Sequence, residues 1–124
     1  AVLEASGRSD IDCRFSLPPG LLLDPDRAVP LALVFTEAMA NAIEHGYPDA
    51  GGPVHVAVTR PDAAHLILSV EDEGRGIAPD FDLDRAESVG LRIAAKLARQ
   101  LNGSFSLSAG SDGHGARAAL RIPA

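Results

Sequence analysis

The stretch Val70-Glu71-Asp72-Glu73-Gly74-Arg75-Gly76-Ile77 decides how the rest of the chain is read. It joins an apolar strand end to a carboxylate and two nearby glycines. A carboxylate at a strand end accepts a hydrogen bond from a base amine. Glycines beside it let backbone approach a flat ring, because they carry no side chain and tolerate positive φ. The same residues also make ordinary turns, so their meaning rests on what flanks them.

Immediately before this stretch, Leu66, Leu68 and Val70 alternate with Ile67 and Ser69. Val54, Val56 and Val58 alternate with His55 and Ala57, and Pro61-Asp62-Ala63-Ala64 joins the two runs. This pattern predicts a strand–turn–strand unit with one face inward. After it, residues 74–89 are rich in Gly, Pro, Asp and Ser and read as a long mobile loop, a length associated with functional lids or disorder. Gly90 then begins a helix whose apolar stripe is Leu91, Ala94, Leu97, Ala98 and Leu101, with Asn102-Gly103 as its stop. Two further strands are expected at 104–109 and about 116–122, joined by Ser111-Asp112-Gly113-His114-Gly115.

Towards the N-terminus, residues 11–17 read as a short strand interrupted by Pro18-Pro19-Gly20. Asp24-Pro25-Asp26 offers helix-start chemistry. A helix is expected from roughly residue 27 to 45, with Pro30 in its first turn, where a missing N–H does little harm. Leu31, Val34, Phe35, Ala38 and Ala42 form its core face. Gly46-Tyr47-Pro48-Asp49 ends it. Two helices among about five strands imply an α+β fold, with one sheet covered on one face by helices.

Composition narrows the function. The chain has 124 residues, 46% of them hydrophobic, which suits a single domain with a real core. The net charge of -6 argues against a nucleic-acid partner, since phosphate backbones call for clustered Lys and Arg. Seven acids, Glu71, Asp72, Glu73, Asp80, Asp82, Asp84 and Glu87, lie between 71 and 87, so an anion there needs a cation or helix-terminus amides. No apolar run is long enough to span a bilayer. The single cysteine, Cys13, has no internal disulfide partner and no zinc cage. The expectation is a soluble, cytoplasmic domain with no membrane contact. Ala1 in place of a methionine suggests a fragment or processed product.

Two further groups carry candidate chemistry. On the first helix Glu37, Asn41, Glu44 and His45 fall at i, i+4, i+7 and i+8, one helix face. A solvated face explains that arrangement as well. Yet Asn41 is a neutral oxygen donor suited to Mg²⁺, which takes few protein ligands and keeps substrate phosphates. A carboxylate one turn away accepts a proton from a nucleophile. Ser88-Val89-Gly90-Leu91 leads into the second helix, whose free N–H groups and dipole suit a phosphate; a plain helix entry is the alternative. Arg92, Lys96 and Arg99 form a basic stripe of the kind that is commonly just solvated. His55 and His65 have no third ligand at metal spacing. No nucleophile elbow and no Gly-Lys-Ser/Thr phosphate loop is present.

The order of these pieces resembles the Bergerat-fold ATP-binding domain shared by gyrase, Hsp90, histidine kinases and MutL (GHKL). Glu37-Ala-Met-Ala-Asn41-Ala-Ile-Glu44-His45 resembles its N box. Asp72-Glu-Gly74-Arg-Gly76-Ile77 resembles its first glycine box, and Ser88-Val-Gly90-Leu91 its lid end and second glycine box. Leu23-Asp24-Pro25-Asp26-Arg27-Ala28, His45-Gly46-Tyr47-Pro48 and Gly90-Leu91-Arg92 with Leu97-Ala98-Arg99-Gln100-Leu101-Asn102-Gly103 are most similar to sensor histidine kinases of the HWE-like and second histidine-kinase families. The resemblance runs from about residue 11 to 123.

It implies a two-layer α/β sandwich with a mixed, mostly antiparallel sheet. It also implies roles. Asp72 would accept from the adenine amine, and Gly74, Gly76 and Ile77 would border the base. Asn41 would bind Mg²⁺ across the phosphates, with Glu44 and His45 near them. Glu37 stands where ATPase relatives keep their general base. Ser88, Gly90 and Leu91 would bring the helix start to the phosphates. Positioning and charge neutralisation are what phosphoryl transfer needs.

Two departures stand out. Gly113-His114-Gly115-Ala116 lacks the threonine that many relatives place beside the adenine, which suggests weaker or altered nucleotide binding. Nothing here resembles the helical dimerisation domain that carries the phosphoacceptor histidine. The implied function is therefore the catalytic domain of a two-component sensor histidine kinase, monomeric when isolated. It would phosphorylate a histidine on a separate helical domain for relay to a response regulator. An anti-sigma serine kinase and a non-catalytic nucleotide-binding module are the alternatives.

Overall fold

The computed structural model describes residues 10–21, 23–76, 89–110 and 113–124. Ile77, Ser88 and the acids Asp80, Asp82, Asp84 and Glu87 lie outside the described residues, as does most of the loop expected over 74–89.

Among the described residues five strands form one sheet: β1 (Asp12–Ser16), β2 (Pro53–Asp62), β3 (His65–Asp72), β4 (Ser104–Ala109) and β5 (Ala116–Pro123). Their spatial order is β1-β2-β3-β5-β4. Only β1–β2 is parallel, and the other three pairings are antiparallel. Two helices, α1 (Pro25–Asn41) and α2 (Val89–Gln100), pack on each other and on the sheet. The architecture is the α+β sandwich expected.

Alternation assigns the two sheet faces. The register sets Val56 opposite Val70, Val70 opposite Ala118, and Ala118 opposite Leu107. A second row runs Val58, Leu68, Leu120, Phe105. These residues share one cluster with Val34, Ala38, Met39, Ala42 and Ile43 from the first helical segment and Leu91, Ala94, Ala98 and Leu101 from the second. A period-2 face thus meets two period-3.6 faces. The opposite sheet face carries His55, Glu71, Arg117 and Arg121, with Arg117 3.8 Å from Glu71.

Several local expectations need correction. Helix α1 begins at Pro25, because Asp24 accepts from the Arg27 N–H at 3.3 Å and Pro25 is preset for the first turn. Pro30 therefore lies inside the helix, past the first turn. The α-helix also stops at Asn41, and Ala42–Gly46 forms one π turn. Met39 and Ile43 are buried, while Leu31 and Phe35 are only partly so. Pro61 and Asp62 belong to β2, where a register irregularity between Thr59 and Asp62 accommodates the proline. Helix α2 starts one residue early, at Val89. At its end Asn102 takes the left-handed conformation (φ 60°), and the Gly103 N–H reaches back to Ala98 C=O at 2.9 Å.

No helix among the described residues is long and apolar enough to cross a membrane.

Candidate functional site

Asp72 is the last residue of β3 and lies on the helix-facing side of the sheet, opposite Val54. It is 2% exposed. A carboxylate at that depth needs donors. The Gly74 N–H supplies one at 2.9 Å, and the Ala116 amide supplies another. Burial nevertheless dominates and holds the Asp72 pKa above the ordinary carboxylate value. The two amides lower it, and the Glu71 charge adds a further upward push.

Gly46 borders this carboxylate, Gly115 borders the Asp72 main chain, and Gly74 packs on Gly46. A β-carbon on Gly46 would stand 2.7 Å from Asp72 Cγ, and one on Gly115 would stand 2.0 Å from the Asp72 carbonyl oxygen. One on Gly74 would meet the Gly46 carbonyl oxygen at 2.0 Å. Each position excludes a side chain on contact alone. Gly76 and Gly115 also have positive φ, at 79° and 69°.

The π turn supplies the other wall. Such a turn inserts an extra residue into the helical ladder and is frequent at functional sites. Its end is fastened to the glycine turn by an Arg75 N–H to Gly46 C=O bond of 3.1 Å. Tyr47 follows, buried at 7% exposure. Its hydroxyl accepts from the Glu73 N–H at 2.7 Å and donates to the Pro53 C=O at 2.7 Å.

Of the expected residues, Glu37 and Asn41 are half-buried one turn apart on α1. Glu44 and His45 are exposed, and they fall on the π turn rather than on a continuous α-helix face. Gly90 and Leu91 form the first turn of α2, Gly90 half-buried and Leu91 buried. Arg92, Lys96 and Arg99 are exposed. His65 pairs with Asp62 at 2.9 Å on the far hairpin. Among the described residues no group of three or more His, Cys, Asp or Glu gathers as a metal cage. Asn41 carries a neutral carboxamide oxygen, a donor chemically compatible with Mg²⁺ that keeps its remaining ligands as water or phosphate.

Sequence reasoning missed Gly46 and Gly115 as walls and Tyr47 as a bridge. The available signal was a glycine and an aromatic directly after a polar helix face.

Comparison with known proteins identifies the family. The profile of the family described as "Histidine kinase-, DNA gyrase B-, and HSP90-like ATPase" matches residues 26–124. Sensor histidine kinase PdtaS of Mycobacterium tuberculosis (strain ATCC 25618 / H37Rv) is 35% identical over 104 residues, covering 82% of this chain and 21% of that protein. The chain thus spans about a fifth of that relative's length. The histidine kinase domain of the Erythrobacter litoralis EL346 blue-light-activated histidine kinase superposes with a TM-score of 0.84 at 26% identity, over 98% of this chain and 55% of that one. Anti-sigma F factor of Bacillus licheniformis is 44% identical over 64 residues, 48% of this chain and 42% of that protein. The chain belongs to the histidine kinase-, DNA gyrase B- and HSP90-like ATPase family.

Proposed function

We propose that this domain binds ATP with Mg²⁺ and is the catalytic unit of a two-component sensor histidine kinase. The supporting observation is Asp72: a buried carboxylate at a strand end, with the side-chain-free Gly46 against it and its pKa raised by burial. A buried acid with few protein donors suits an external donor such as the adenine amine. Gly74 and Gly76 let the base lie close to backbone.

Asn41, immediately before the π turn, would hold Mg²⁺, which would supply charge neutralisation across the phosphates. Glu44 and His45 would border the phosphates from the exposed side of that turn. The start of α2, at Gly90 and Leu91, would lie towards the phosphates through its positive dipole end, and Ile77 and Ser88, outside the described residues, are the remaining nucleotide-binding candidates. Glu37 would accept a proton if the nucleophile must lose one. The γ-phosphoryl would pass to an imidazole nitrogen on a separate helical domain. ADP would leave, and a response regulator would take the phosphoryl next. We assign this work to a cytoplasmic, monomeric domain, on the expectation that dimerisation resides in the helical partner.

Calorimetry with Mg²⁺ and a non-hydrolysable ATP analogue tests the binding step, and a flat titration of folded protein would overturn it. Mixing the domain with labelled ATP and a helical histidine domain tests transfer, with acid-labile label expected. The Bacillus similarity favours one second reading, serine phosphorylation of a small partner protein. Acid-stable label would select it.

A further inference from the structure

We propose that Tyr47 is a positioning residue that sets how Asp72 reads the base, so that discrimination for a 6-amino purine depends on the tyrosine hydroxyl. This rests on the ATP reading above.

Three contacts from two consecutive residues converge on the segment Asp72 to Arg75. Gly46 lies against the Asp72 carboxylate with no room for a side chain between them, its carbonyl accepts from the Arg75 N–H, and Tyr47 Oη accepts from the Glu73 N–H. The hydroxyl also donates to Pro53 C=O, at the first residue of β2. The register pairs Val54 with Asp72, so Pro53 and Glu73 are the next positions outward. Pro53 has no N–H to give. The tyrosine hydroxyl stands between these strand ends as an inserted rung, satisfying both a donor and an acceptor.

The ring itself has little room to move. A β-carbon on Gly52 would lie 2.6 Å from Tyr47 Cε1. The ring is thus seated against the backbone that leads into β2, while its hydroxyl fixes the residue after Asp72. Tyr47→Phe keeps the ring and removes the rung. It leaves the Glu73 N–H free to turn and takes with it the carboxylate one residue earlier.

The domain helps the experiment, because Tyr47 is its only tyrosine and it has no tryptophan. Affinities of wild type and Tyr47→Phe are measured for Mg²⁺-ATP and for purine riboside triphosphate, which lacks the 6-amino group. Wild type should prefer ATP. The variant should lose roughly fivefold in ATP affinity, the scale of one hydrogen bond, with the analogue's affinity unchanged. Equal losses for both nucleotides, or none, would overturn the inference and reduce Tyr47 to a packing residue. Failure of wild type to bind ATP at all would instead sink the reading beneath it. Should Tyr47→Phe not fold, wild-type protein carrying 3-fluorotyrosine gives one ¹⁹F resonance. That resonance should shift more with ATP than with the analogue, and identical shifts would overturn the assignment.

Discussion

Gly46 and Asp72 lie in direct contact across the gap between the π turn and the end of β3, so closely that one added carbon would fall 2.7 Å from the carboxylate carbon. Gly46 has no positive φ, so its requirement for glycine arises from this contact and not from backbone strain. Gly46→Ala should therefore move the Asp72 carboxylate. Overpacking of this kind costs about 1–3 kcal/mol in stability. The larger effect should be on nucleotide affinity, read by calorimetry on protein shown to be folded. Unchanged ATP binding would mean that the base sits elsewhere.

Asp72→Asn separates function from stability. Losing a charged acceptor should weaken ATP binding by roughly 1.5–3 kcal/mol, about ten- to a hundredfold. The unliganded domain should respond in the opposite sense. Burial raises the Asp72 pKa, so the fold favours the protonated acid. Stability is then greatest below the ordinary carboxylate pKa and falls as pH rises through the folded value. The asparagine variant lacks that loss. Its melting temperature should exceed wild type at pH 7, and the difference should shrink towards pH 4. A constant difference across that range would contradict the burial argument.

The strands were legible because their alternation is a local signal: Val54, Val56, Leu66, Leu68 and Val70 declare a buried face without reference to any partner. The start of α1 was legible in kind, through Asp24 and Pro25, but was set late because Pro30 was assumed to need the first turn. The end of α1 was not legible. Asn41 to His45 reads as continuous helix, and the π turn forms where Gly46 and Tyr47 are drawn onto the glycine turn after β3. That contact spans 26 residues between Tyr47 and Glu73, and no local pattern encodes it. For the same reason Asp72 and Asn41 stand out singly in their local motifs, whereas Gly115 does not. Its glycine requirement comes from the Asp72 carbonyl, 43 positions earlier in the chain (115 less 72).

Asn41 offers a test of the metal's place. Asn41→Ala should leave nucleotide binding in EDTA close to wild type and remove most of the gain that Mg²⁺ brings. A carboxamide oxygen on a cation whose remaining ligands are water and phosphate predicts that pattern. Equal Mg²⁺ stimulation in both proteins would place the cation on other residues.

The core sets the stability of the whole. Ile122 is 1% exposed on β5, opposite Leu66 and within the cluster shared by sheet and helices. Ile122→Ala should cost about 2–5 kcal/mol in denaturant unfolding, combining lost burial with a cavity. A cost under 1 kcal/mol would show that this end of the sheet is loosely packed.

Tyr47 and Asp72 should also be coupled electrostatically. Burial raises the Tyr47 pKa above its ordinary value of 10.0. The charges of Asp72 and Glu73 push it further up, against the stabilising Glu73 amide. The fold thus favours the neutral phenol. Its contribution to stability is full below pH 10 and is lost as pH rises through the folded value. Because no other tyrosine is present, ultraviolet titration of the phenolate reads this one group. The midpoint should lie above that of the unfolded chain. In Asp72→Asn, where one neighbouring negative charge is gone, it should fall towards the unfolded value. A midpoint indifferent to Asp72 would show the hydroxyl to be electrically insulated from the carboxylate, leaving the hydrogen bond to Glu73 as their one line of communication.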